Sequence, residues 1–210
     1  MSDPSPQRSA TLNPAEGPIR RGRPRSEKAR TAILAAAENL LLNEGLEAVS
    51  MDAIAERASV SKATIYRWWP TKETLAVDAL YADWGGGETD TPDTGSLRED
   101  LLALLLPWVD RVSGRPYARI IASLLTKART DDKFAEEYDR RLVRPRRALA
   151  RPIFTHAIER GEISSETDPE VALDLLYGSL YFRLLQAHLP LNKAFVEAIV
   201  EAALSGLLVR

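Results

Sequence analysis

The segment from Val49 to Glu73 constrains this chain more than any other stretch. It reads Val49-Ser-Met-Asp-Ala-Ile-Ala-Glu-Arg-Ala-Ser-Val-Ser-Lys-Ala-Thr-Ile-Tyr-Arg-Trp-Trp-Pro-Thr-Lys-Glu73. Ser50 and Ser61 each stand where a helix N-cap accepts a backbone N–H. The spacing predicts one helix from Met51 to about Ala58 and a second from Lys62 to about Trp69, joined by a tight turn. Ile54, Val60 and Ile65 meet between them, and Ala55 and Ala58 are small where two helices approach closely. Helices this short are marginal alone. They need another helix and the Trp68-Trp69 pair to pack against.

The rest of the chain punctuates as helices too. Ser26 is the expected N-cap of a first helix carrying Ile33, Ala37, Leu40 and Leu41, closed by Gly45 in the left-handed conformation. Pro70 ends the third helix, and Thr71 caps a fourth that runs to about Trp84. Gly85-Gly-Gly87 and the polar stretch to Gly95 read as a linker. Ser96-Leu-Arg-Glu99 has the capping-box pattern and opens a helix to about Val112, which Pro107 should kink or break. Further helices are expected from Pro116 to about Arg129 and from Asp132 to Glu159, the latter with Pro145 and Pro152 as points of interruption. Asp168-Pro169 starts another, to about His188, and Asn192 caps the last, to about Leu208. No stretch alternates as a strand does. The expectation is an all-α chain: a disordered tail over 1–19, a three-helix unit with a basic arm and a linking helix over 20–84, and a helical domain over 96–210.

Composition removes several functions. There is no cysteine, and His156 and His188 are the two histidines, so thiolate chemistry is excluded and no metal or cofactor is expected. No apolar run approaches the ~20 residues a membrane span needs. The N-terminus does not read as a secretory signal, so the expected compartment is the cytoplasm. Asp131-Asp132 and Glu136-Glu137 are adjacent pairs that do not share a helix face, and no nucleophile elbow or phosphate-cradling loop occurs. The chain does not read as an enzyme.

Charge points to nucleic acid locally, although the net charge is −2. Residues 20–30 hold six basic side chains against one acid, including Arg20, Arg21, Arg23 and Arg25. Such an arm suits phosphate contact. The second short helix would present Lys62, Ala63, Thr64, Tyr66 and Arg67, a set able to touch base edges, thymine methyls and phosphates. Ser50, Ser61 and Lys72 are placed for backbone phosphates. A second cluster, Arg140, Arg141, Arg144, Arg146, Arg147 and Arg151, reads as a solvated helix face paired with Glu136 and Glu137, with anion or DNA contact as the alternative.

These residues resemble the tetracycline-repressor-like (TetR) family of regulators. The resemblance rests on Ser50-Met-Asp-Ala-Ile-Ala-Glu-Arg-Ala, on Val60-Ser-Lys-Ala-Thr-Ile-Tyr-Arg-Trp-Trp-Pro-Thr-Lys-Glu-Thr-Leu75 and on the preceding amphipathic helix. It covers about Ser26 to Leu80. Trp69 stands where the family often has Phe, and Ala63 where Gly is frequent. The resemblance implies a homodimer with an N-terminal helix-turn-helix DNA-binding domain and a C-terminal helical ligand-binding and dimerisation domain. It implies double-stranded DNA, a roughly palindromic operator, as the partner, and a small-molecule effector that relieves repression. The alternative is a regulator or activator without an effector, its C-terminal domain serving dimerisation only.

For that second domain the expected pocket residues are Trp108, Tyr117, Arg119, Phe134, Tyr138, Phe154, Tyr177 and Tyr181, although an aromatic at helical spacing is more often plain core. Arg119 and Arg183 lie in otherwise apolar stretches, where each meets either an anionic ligand or a neighbouring acid. Leu176, Leu180, Leu184, Ala198 and Ala202 are the expected dimer contacts, with intramolecular core as the other use for the same helices.

Overall fold

The computed structural model describes residues 23–85, 90–113 and 116–207, without the side chains of 23–26 and 207. Its helices are α1 (Arg23–Glu44), α2 (Met51–Arg57), α3 (Lys62–Tyr66), α4 (Lys72–Asp83), α5 (Leu97–Val112), α6 (Tyr117–Thr130), α7 (Asp132–Tyr138), α8 (Arg144–Glu159), α9 (Pro169–Gln186) and α10 (Lys193–Leu207). A single π turn, Asp139–Val143, joins α7 to α8. The described residues form no β-sheet.

The fold is all-helical. Most boundaries follow the local signals. Ser50, Ser61, Thr71 and Asp168 each cap through the side chain. Asn192 accepts from the Phe195 N–H at 3.0 Å. Gly45 and Gly161 take positive φ of 82° and 74° at helix ends, where a side chain would be strained.

Four expectations differ. α1 begins at Arg23, so Ser26 lies inside it rather than at its cap. α3 ends at Tyr66, because the Trp68 and Trp69 N–H groups both turn back to the Ile65 carbonyl. α5 runs unbroken through Pro107, held on both sides by buried Leu101, Leu102, Leu105, Trp108 and Val109. Ser96 makes no side-chain cap, and at this helix start the Glu162 carboxylate accepts from the Leu97 N–H at 2.8 Å. The interruption before Pro145 is the π turn, while Pro152 is carried within α8.

One continuous core runs the length of the molecule. At one end α1 packs on α4 and on α2, and α2 packs on α3. At the other, α5 packs on α8 and α10, and α9 on α6, α8 and α10. α4 belongs to both ends, because it also packs against α7 and the π turn.

Candidate nucleic-acid interface

The reading unit is built from short-range bonds. Ser50 accepts from the Ala53 N–H and Ser61 from the Thr64 N–H, both at 3.2 Å. The turn between α2 and α3 closes through Ser59 at φ 53° and a bond from the Val60 N–H to the Ala55 carbonyl. Ile54 and Ile65 are buried between the helices, with Val60 half-buried beside them. Trp69 is buried beneath the unit.

With Ile65 turned inward, α3 shows its other side to solvent. Ser61, Lys62, Ala63, Tyr66 and Arg67 are exposed, Tyr66 by 49%, and Thr64 is half-buried. Lys62 is paired with Asp52 at 2.6 Å, and both are exposed enough for that pair to exchange with another anion. Arg67 lies over the Trp68 ring at 5.1 Å. Ser50 is exposed as well. Arg20 and Arg21 lie outside the described residues, as do the side chains of Arg23 and Arg25.

Lys72 also has partners within the chain. Its ammonium donates to the carbonyls of Leu46, Glu47 and Val49 at 2.9, 3.1 and 3.3 Å. It ties the first turn of α4 to the α1–α2 loop.

Behind the reading unit a polar relay crosses to the C-terminal helices. One carboxylate oxygen of Asp78 on α4 accepts from the Trp69 indole N–H at 2.7 Å and from Arg141 at 2.7 Å. Arg141 sits in the π turn and also bonds Glu137 at 2.6 Å. Those bonds, with Arg140 beside them, hold the Glu137 carboxyl below its ordinary range.

The same π turn forms part of a cleft of about 310 Å³. Leu142 and Val143 line it with Leu125, Leu185 and the rings of Tyr138, Tyr177 and Tyr181. Arg146 lines it too, and also a second cavity of about 40 Å³ against Tyr81, Trp84 and Trp108. The Arg146 guanidinium carbon lies 5.1, 4.7, 4.8 and 5.9 Å from the ring centres of Trp84, Trp108, Tyr177 and Tyr181, and it donates to the Tyr181 hydroxyl at 2.9 Å. Trp84 is the C-cap of α4, so this aromatic box closes on the end of the helix that carries the reading unit.

The expected pocket residues thus divide. Tyr138, Tyr177 and Tyr181 line the cleft, and Trp108 lines the small cavity beside it. Phe134 and Phe154 are buried in the core and line neither. Tyr117 is buried beside Trp84 and bonds Asp83, while Arg119 is exposed. Arg183 donates to the Pro190 carbonyl and stacks on Phe195. Sequence reasoning placed Arg146 with its neighbours on a solvated face. Five of those six arginines do bond carboxylates: Arg140 and Arg141 to Glu137, Arg144 to Asp139, and Arg147 and Arg151 to Glu170. Arg146 is the one with no carboxylate partner among the described residues.

The expected dimer residues divide as well. Leu176, Leu180 and Leu184 are buried in the chain's own core, whereas Ala198 and Ala202 on α10 are exposed. The outward face of α9 carries Val171, Leu175 and Phe182, exposed by 57, 57 and 60%.

A short capped helix pair with an exposed reading face, mounted on a helix that enters a second helical body, defines a helix-turn-helix regulator of transcription. Residues 33–79 match the model of bacterial regulatory proteins of the tetR family, and residues 91–203 match that of the tetracyclin repressor-like C-terminal domain. The chain is 38% identical over 187 residues to the HTH-type transcriptional regulator YdeS of Bacillus subtilis, covering 89% of this chain and 93% of that one. It is 30% identical to the DNA-binding transcriptional repressor TetR of Mycobacteroides abscessus, over 86% of this chain and 94% of that one. The crystal structure of the TetR family transcription regulator SCO0332 superposes with a TM-score of 0.70 at 35% identity, covering 85% of this chain and 98% of that one. The chain belongs to the TetR family of DNA-binding transcriptional regulators. No described helix is long and apolar enough to cross a membrane.

Proposed function

We propose that this protein is a homodimeric repressor that leaves a palindromic operator when a small molecule enters the cleft beside Arg146. The observation that carries this reading is the position of Trp84. It ends α4 and stacks on Arg146 at the border of the cleft. A ligand that moves Arg146 or the π turn acts on α4 at two points, at its C-terminal end through Trp84 and at its middle through Arg141 and Asp78. It shifts DNA affinity to the extent that it prefers one position of α4.

DNA contact falls to Lys62, Ala63, Thr64, Tyr66 and Arg67 on α3, with Ser50, Ser61 and the arm of Arg20, Arg21, Arg23 and Arg25 on phosphates. Lys72 supports them by holding the α1–α2 loop. The dimer partner is a second copy, seated on the apolar face of Val171, Leu175 and Phe182 and the small residues Ala198 and Ala202. Exposed apolar and small residues on two helices that pack together suit an isologous four-helix contact. The protein acts in the cytoplasm and catalyses no reaction.

Selection from a random DNA duplex pool tests the reading. An inverted repeat bound by a dimer is expected, with log affinity falling steeply against log salt. Phe182→Glu should give a monomer that keeps its helical content and loses the repeat. No enriched sequence at low salt, or a Phe182→Glu protein that remains dimeric, overturns the corresponding part. A cleft ligand that leaves operator affinity unchanged would favour the regulator without an effector.

A further inference from the structure

Two buried hydrogen-bond donors meet beside Arg146 without an acceptor to match them. The indole N–H groups of Trp84 and Trp108 are both buried and make no hydrogen bond. Both rings line the cavity of about 40 Å³ that Arg146 also lines. The guanidinium has five N–H donors and gives one to Tyr181. No carboxylate pairs with it among the described residues, in contrast to its five basic neighbours. The tyrosines supply no counter-charge either: burial pushes the hydroxyls of Tyr138 and Tyr181 up, so both stay neutral. Four aromatic faces stabilise the half-buried cation without neutralising it. Buried donors left unmatched are costly, so a site built of them is complete only with an acceptor in it.

We infer that the cleft takes an organic monoanion, a molecule with a carboxylate head and an apolar body. The head sits against Arg146 and the Trp84 and Trp108 indoles. The body lies along Leu125, Leu142, Val143 and Leu185. A cleft of about 310 Å³ stands at the small end of the range for small-molecule sites, roughly 300–1,000 Å³, which sets a body of one or two rings or a medium chain. This deepens the effector reading above and rests on it for the regulatory consequence, though not for binding.

Matched probes separate charge from shape. The full-length protein is titrated with decanoate and 1-decanol, and with 2-naphthoate and 2-naphthalenemethanol, by calorimetry and tryptophan fluorescence. At least one carboxylate should bind about tenfold or more tighter than its alcohol, as charge-assisted hydrogen bonds require. Arg146→Gln should remove that preference. Trp108→Phe keeps an aromatic face, loses the N–H and is smaller, so it should reduce the preference in part with a modest fall in melting temperature. Two outcomes overturn the inference: carboxylates that bind no tighter than the alcohols or not at all at millimolar concentration, and an Arg146→Gln protein that keeps the preference. The same ligands are then added to the protein–operator complex. Carboxylate binding without release leaves the anion site standing and removes the effector reading. Release by the alcohols alone does the reverse.

Discussion

In the reading unit, Ser50, Ser61 and Thr71 each cap a helix by accepting an N–H three residues further on. In the C-terminal body, Arg147 reaches Glu170 and Asp174, 23 and 27 positions away, and Arg146 gathers rings from α4, α5 and α9. The helix starts of the reading unit are set by neighbours in sequence, whereas the polar contacts around Arg146 and Arg147 join groups that meet only after the chain has packed. Local bonds fix a rigid surface that a duplex can meet repeatedly in the same form. Long-range polar contacts can exchange partners, which is what a responsive region needs. α4 is where the two kinds of bonding join.

Removing the join should have the largest effect. Trp69 is buried, stacks edge-on with Trp68 and bonds Asp78. Trp69→Ala should cost about 3–5 kcal/mol and melt the reading unit before the body. Denaturation followed by circular dichroism, with Trp84 and Trp108 fluorescence for the body, would detect two transitions. A single unshifted transition would mean the two regions do not differ in what holds them.

Asp78→Ala comes next. It leaves the Trp69 indole and Arg141 without their shared acceptor, at a cost of about 2–3 kcal/mol. It should also weaken the link between cleft and DNA more than it weakens DNA binding itself. Measured as operator affinity with and without ligand, the ratio should shrink towards one. An unchanged ratio would place the coupling elsewhere.

Lys72→Met tests whether a basic side chain beside the reading unit serves the fold or the DNA. Its three carbonyl bonds predict a loss of about 1–2 kcal/mol with the salt slope of operator binding unchanged. A phosphate contact would instead lower that slope by about one. Ser61→Ala should cost less, about 1 kcal/mol, by removing one cap.

The same contrast governs what the sequence discloses. The caps Ser50, Ser61 and Thr71, the turn between α2 and α3 and the inward Ile54 and Ile65 are legible because these helix starts are decided within one turn, unlike those at Ser26 and Ser96. The outward residues of α3 follow at once. α9 is harder, since it is apolar nearly all round. Leu176, Leu180 and Leu184 recur at helical spacing, and so do Val171, Leu175 and Phe182. Periodicity finds two apolar stripes and cannot say which one the chain covers with its own helices. Burial assigns the first stripe to the core. Arg146 is illegible for a related reason. In sequence it is one of six arginines, and only packing shows that five face carboxylates while it faces rings. The carbonyl bonds of Lys72 are equally illegible, because the α1–α2 loop they hold lies 23 to 26 positions away.

The smallest expected effect separates the two kinds of bonding by pH. Arg141 and Arg140 hold the Glu137 carboxyl below its ordinary range. A group whose pKa is lower folded than unfolded contributes stability above the unfolded value, about 4.3 for Glu, and loses it as pH falls through the folded value. The difference in melting temperature between the protein and its Glu137→Gln variant should therefore hold from pH 7 to about 5, then close below the folded value. Glu137 is a third exposed, so the difference is small throughout. The Ser61→Ala difference should stay level over the same range, because a hydroxyl cap carries no titrating group. If the Glu137 difference also stays level to pH 3, the charge on that carboxylate does not hold Arg141. The relay would then be as fixed as the caps, and the contrast between a rigid reading unit and a responsive body would fail at the one place where they touch.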